Sequence, residues 1–88
     1  MFVIVTYDCD SKRVNKALKI CRKYLTRVQN SVFEGEITEK NLEQLKKELQ
    51  DCMVKSEDTF LVYSFQSKKY SNREQYGKEK NTQSIFFY

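Results

Sequence analysis

Histidine is absent from this 88-residue chain, and that absence excludes more chemistry than any other feature of its composition. Without imidazole there is no paired-histidine acid–base machinery of the metal-free ribonuclease kind, and no Ser-His or Cys-His nucleophilic triad. Proline is also absent and glycine occurs only twice, so no stretch reads as a linker or a disordered half. Cysteine is sparse: Cys9, Cys21 and Cys52 form no C-x-x-C pair, and three thiols without histidine cannot complete a structural zinc site. They read as reduced, partly buried thiols. No run approaches the roughly 20 apolar residues needed to cross a bilayer, and the short apolar N-terminal run reads as a strand rather than a signal peptide. A soluble, cytoplasmic protein is expected.

What is present is one small domain's worth of chain, with 16 basic residues against 12 acidic ones and a formal charge of +4. A domain this short buries roughly 60–65% of its unfolded surface, so association with a second copy would help it. The basic residues are not spread evenly. Between Lys12 and Arg27 lie seven cations and no acid. A basic helix of this kind suggests a polyanionic partner, RNA or duplex DNA, although a merely solvated lysine face reads the same way.

Phe2 to Tyr7 is nearly continuous apolar sequence, as in a central strand buried on both faces. Asp10 or Ser11 can cap a helix over 11–25, with Val14, Ala17, Leu18, Cys21 and Leu25 as its buried stripe. Arg27 to Ile37 is β-like, either one bent strand or a tight hairpin turning near Asn30-Ser31. Thr38 caps a second helix with Leu42, Leu45, Leu49 and either Cys52 or Met53 as its apolar stripe, and Glu43 is placed to pair with Lys47. Lys55 to Asp58 is a loop. Thr59 to Phe65 is a strong strand, residues 73–76 a weaker edge strand, and Ser84 to Tyr88 a short aromatic strand.

The order β-α-β(β)-α-β predicts an α+β, ferredoxin-like split βαβ sandwich, with an antiparallel sheet and two helices on one face. Residues 1–78 form that domain, and residues 79–88 form a C-terminal segment whose strand packs on a partner subunit. Two helices cover one face of a sheet whose strands are apolar on both. A second copy of the chain is the expected cover, which makes the protein an obligate homodimer.

Asp8, delivered by the first strand to the mouth of the first helix, is the leading chemical candidate. It could cap that helix, but Asp10 and Ser11 are better placed to do so. A spare carboxylate flanked by cations is a candidate ligand for a hard divalent ion, and Mg²⁺ can share one or two carboxylates with substrate phosphate. The chemistry expected is attack of a metal-activated water on a phosphodiester. Lys12, Arg13 and Lys16 would contact backbone phosphates rather than bases. Arg27 either clamps a phosphate bidentately or pairs with Glu34 or Glu36 across a hairpin. Phe33 is either core or a base-stacking platform, Tyr7 alternates with buried positions, and Ser31 is a turn residue rather than a nucleophile.

Tyr7-Asp8 at the strand end, the basic helix, and the stretch Arg27-Val28-Gln29-Asn30-Ser31-Val32-Phe33-Glu34-Gly35-Glu36 together resemble the small CRISPR-associated nucleases of the Cas2 family. The resemblance spans essentially the whole chain in length and element order, and the RVQNSVFEGE stretch is its specific part. It implies a ferredoxin-like homodimer with an exchanged C-terminal strand and Mg²⁺-dependent endonuclease activity on RNA or DNA. It also implies assembly with the Cas1 integrase in spacer acquisition. In the family pattern Asp8 is the catalytic, metal-binding carboxylate, one from each protomer meeting at the dimer axis. Tyr7, Arg27, Ser31 and Phe33 fall in the same motif, and Arg13 with Lys16 matches its basic helix start. The competing expectation is a non-catalytic scaffold that grips duplex DNA. A single-stranded RNA module on a similar frame is disfavoured, because the glycine-aromatic signature of such sheets is missing.

Overall fold

A computed structural model of the chain describes residues 1–67 and 70–77. Alternating burial along β1 (Phe2–Asp8) sends Val3, Val5 and Tyr7 into the core, while Phe2, Ile4 and Thr6 stand half-buried on the other face. Asp10 ends the short connection that follows and caps α1 (Ser11–Arg22), its side chain accepting from the Lys12 amide at 2.9 Å. The helix stops three residues short of the expected end. The Leu25 amide bonds back to the Cys21 carbonyl at 2.9 Å, and the chain turns into β2 (Thr26–Gln29). Its buried stripe is Ala17, Ile20 and Cys21. Val14, expected to lie inside, is 37% exposed, because the true stripe is rotated toward Ile20.

The two alternatives for residues 27–37 resolve as a hairpin. β2 pairs antiparallel with β3 (Val32–Glu36) around Asn30-Ser31, with a bulge between Arg27 and Gln29 that leaves Val28 at the surface. Thr38 then caps α2 (Glu39–Cys52), accepting from the Asn41 amide at 3.1 Å, and Leu42, Leu45 and Leu49 are buried. Glu43 does not pair with Lys47 as expected. It reaches Lys46 at 2.8 Å, because the Lys46 ammonium sits where Glu74 can share it at 3.0 Å. β4 (Thr59–Ser67) and β5 (Tyr70–Gly77) complete an antiparallel sheet in the order β2-β3-β1-β4-β5.

Both helices pack on one face of this sheet, against Val3, Val5, Tyr7, Phe33, Phe60 and Val62. The first four strands thus take the expected ferredoxin-like arrangement, with β5 added beside β4. The opposite face carries Phe2, Ile4, Val32, Leu61, Tyr63 and Phe65, and Phe2 packs against Phe65 at 6.4 Å between ring centroids. Neither helix covers it, yet Val32, Leu61 and Tyr63 on it are buried, while Phe2, Ile4 and Phe65 are half-buried. No helix among the described residues is long and apolar enough to cross a membrane. The expected terminal strand at 84–88 and the 79–88 segment lie outside the described residues.

The rotated stripe is testable by chemical denaturation. Leu45→Ala, at a fully buried site, should lose about 2–5 kcal/mol. Val14→Ala should change stability by no more than about 0.5 kcal/mol, as surface substitutions generally do.

Candidate functional site

β1 is the central strand of the sheet, and it releases the chain at Asp8. Three other features meet at this end. Thr59, at the start of β4, is the register partner of Asp8. The turn of the β2–β3 hairpin is tied in by the Tyr7 amide, which donates to the Ser31 carbonyl at 3.1 Å. The N-terminus of α1 follows Asp8 after only Cys9 and Asp10. Asp8 itself is exposed, and strand alternation places it on the face away from the helices.

Just beneath lies a carboxylate that the sequence did not signal. Asp58, in the connection between α2 and β4, has 0% exposure. Its Oδ1 accepts from the Asp10 amide at 3.0 Å and from Arg13 Nη2 at 3.1 Å. Its Oδ2 accepts from Arg13 Nε at 2.5 Å and from the Val54 amide at 2.8 Å. The Arg13 hydrogen bond holds the Asp58 carboxyl down at about 2 against the opposing effect of burial, and the two backbone amides assist. Arg13 is raised in turn, chiefly by Asp58, and Nη2 also reaches Glu57 at 3.0 Å. The guanidinium anticipated for phosphate is thus committed to an internal ion pair. No local pattern links positions 45 residues apart, which is why this pair was not anticipated.

The remaining expected residues divide between core and surface. Phe33 is fully buried and stacks on Tyr7 at 6.1 Å, so both rings are packing elements rather than an open platform for bases. The Tyr7 hydroxyl is buried with no hydrogen-bond partner among the described residues, and burial pushes its pKa up to about 12. Arg27 bonds neither Glu34 nor Glu36 but the carbonyls of Gln29 and Asn30, at 3.4 and 3.2 Å, so it clasps its own turn. Ser31 is half-buried in that turn. Lys12 and Lys16 are exposed along α1, as are Lys19 and Arg22, and among the described residues none of the four has an ion-pair partner. Lys23 differs: it pairs with Glu48, which also accepts from the Tyr24 hydroxyl at 2.5 Å.

Among the described residues no group of three or more His, Cys, Asp or Glu side chains comes close enough to cage a metal. The thiols offer no substitute. Burial raises Cys9 to about 11 and Cys21 to about 12, leaving both protonated near neutral pH. Asp10 caps a helix and Asp58 is saturated with donors, while Asp8 is exposed at the end of β1, as Asp10 and Glu57 are beside it. One such carboxylate suits a largely hydrated Mg²⁺ shared with other ligands and does not suit a closed site within one chain.

Residues 1–73 match the family described as CRISPR associated protein Cas2. The CRISPR-associated endoribonuclease Cas2 of Dictyoglomus turgidum is 47% identical over 81 residues, covering 92% of this chain and 93% of its own length. The protein of the same name from Thermotoga maritima is 45% identical over 87 residues, covering 99% of this chain and 100% of its own. Streptococcus pyogenes Cas2, crystallised at pH 6.5, superposes with a TM-score of 0.69 at 34% identity, over 74% of this chain and 86% of that one. A second crystal structure, described as cas2, gives 0.72 at 38% identity, over 97% and 95%.

Two outcomes are expected. Because the Asp58 pKa is depressed, its contribution to stability is complete above the ordinary value of 3.8 and is lost as pH falls through about 2. Denaturant midpoints should therefore fall more steeply across that window for the wild type than for Asp58→Asn. Tyr7→Phe, which removes an unpaired buried hydroxyl, should stabilise the fold by about 1 kcal/mol in the same assay.

Proposed function

The chain belongs to the CRISPR-associated Cas2 family, and from that premise we propose that it is a Mg²⁺-dependent endonuclease acting on RNA or DNA in CRISPR spacer acquisition. The observation that carries the reading is Asp8: an exposed carboxylate at the end of the central strand, adjoining a helix whose Lys12, Lys16, Lys19 and Arg22 are exposed and have no ion-pair partner among the described residues. Nuclease activity is what the names of the relatives from D. turgidum and T. maritima declare.

Two copies would associate through the sheet face on which Phe2, Ile4 and Phe65 stand half-buried, and the Asp8 of each would hold the ion. Asp8 would hold the ion through a hard anionic oxygen at the exposed end of β1. Lys12 and Lys16, extended by Lys19 and Arg22, receive the phosphate backbone without reading bases. Mg²⁺ held there would supply a positive charge to offset that on the phosphoryl oxygens and would make water a better nucleophile at neutral pH. With no histidine and with raised thiols, the chain's own residues orient and bind rather than shuttle protons. The Cas1 integrase and duplex DNA are the partners this reading assigns to the dimer.

A second reading, a dimer that grips duplex DNA for the integrase and cuts nothing, draws on the lack, among the described residues, of any cluster of three or more metal-ligating side chains. Cleavage of paired RNA and duplex DNA substrates, with and without Mg²⁺, separates the two. Asp8→Asn should abolish Mg²⁺-dependent cleavage while sedimentation still reports a dimer. Undiminished cleavage refutes the catalytic role of Asp8, and a folded monomer at micromolar concentration refutes the shared ion. Binding should weaken with salt by a log–log slope of about 0.9 per phosphate neutralised, and a flat response removes the nucleic-acid role altogether.

A further inference from the structure

We propose that Asp58 and Arg13 form a positioning pair that fixes Asp8 for ion binding, a role that rests on the reading of Asp8 as the ion's ligand. The β1–α1 connection is two residues long, and the position of Asp8 depends on what anchors that connection. Asp58 anchors it from both sides. The Asp10 amide, two residues after Asp8, donates to Asp58 Oδ1 at 3.0 Å. Thr59, the residue after Asp58, is the strand partner of Asp8 in the β1–β4 ladder. Any shift of Asp58 therefore displaces Asp8 both along β4 and through the connection to α1.

The pair is built to stay still. Asp58 receives four hydrogen bonds, two on each oxygen, which fills the acceptor sites of a carboxylate. The backbone closes the same loop, since the Asp58 amide donates to the Val54 carbonyl at 2.8 Å. Gly77 packs so close to Asp58, at φ +101°, that a Cβ there would collide with the Asp58 carbonyl oxygen, and β5 holds the segment from its other side. With 0% exposure, Asp58 reaches neither substrate nor ion, and it acts only through Asp8. Arg13 is the counter-charge that keeps this carboxylate ionised where water does not reach it. Its fork geometry, engaging both oxygens at once, is something lysine cannot reproduce.

Mn²⁺ alone, titrated against the folded protein and followed by water-proton relaxation, tests the pair without relying on turnover. Asp8→Asn serves as the reference and should lose the Asp8-dependent binding. Asp58→Asn and Arg13→Lys, assayed at a temperature where circular dichroism shows them folded, should each weaken Mn²⁺ binding by about tenfold or more, as removal of a ligand's supporting partner does. In cleavage assays they should lower kcat with little change in KM for nucleic acid, because Lys12 and Lys16 are untouched. Arg13→Lys retains the charge and guards against failure of Asp58→Asn to fold. If both variants bind Mn²⁺ as the wild type does while Asp8→Asn does not, the pair is a structural brace only and the proposal falls. If Asp8→Asn itself binds Mn²⁺ unchanged, the ligand reading of Asp8 fails first and takes the positioning role with it.

Discussion

One buried carboxylate organises the end of the sheet on which everything else is built. Asp58 is withdrawn from water, and a charge in that position survives only with a cation and donors arranged around it. Arg13 supplies the cation from the first turn of α1, and Val54 and Asp10 supply amides from two different connections. A single side chain thereby joins the β1–α1 and α2–β4 junctions, which are far apart in sequence. Interactions of this kind are weak arguments for overall stability and strong ones for a unique geometry, since any misplaced partner leaves a charge stranded.

That geometry explains why the basic helix is not uniformly available to a polyanion. Arg13 faces inward and Lys23 is taken up by Glu48 at the far end of α1. Lys16, Lys19 and Arg22 lie between them on the exposed side, with Lys12 just before Arg13. The cation count overstates the free positive surface, and the ion pairs at either end of the helix define its extent. Arg27 is likewise occupied in holding the hairpin turn whose Ser31 carbonyl is bonded by Tyr7. The motif residues around Asp8 form a supporting frame more than an open contact surface.

What could be read from the sequence was local. The strand leading to Asp8 and the Thr38 cap each announce themselves within a few residues, through an apolar run and a capping hydroxyl, whereas the turn at Asn30-Ser31 stood as one of two alternatives beside a single bent strand. The two-faced apolar character of β1 and β4 was also visible, because strands alternate in a fixed period. Contacts decided by the tertiary fold were not. Glu43 chooses Lys46 over Lys47 because Glu74 arrives from β5, and Val14 yields its inward place to Ile20 because α2 and the sheet fix the rotation of α1. Phe33 stood open between core and platform until its stacking on Tyr7 placed it inside.

The placement of β1 has a consequence for how the molecule comes into being. It is the first strand of the chain, yet its two neighbours are β3 and β4, and pairing with β4 joins residues more than fifty positions apart. Closing so wide a loop is entropically slow, and local helices gain nothing by waiting for it. During synthesis α1 and the β2–β3 hairpin can form while the C-terminal end of β1 still lacks its partner. The acidic end of that strand takes its final shape only after β4 has left the ribosome, so a truncated nascent chain carries Asp8 without the surroundings that give it direction.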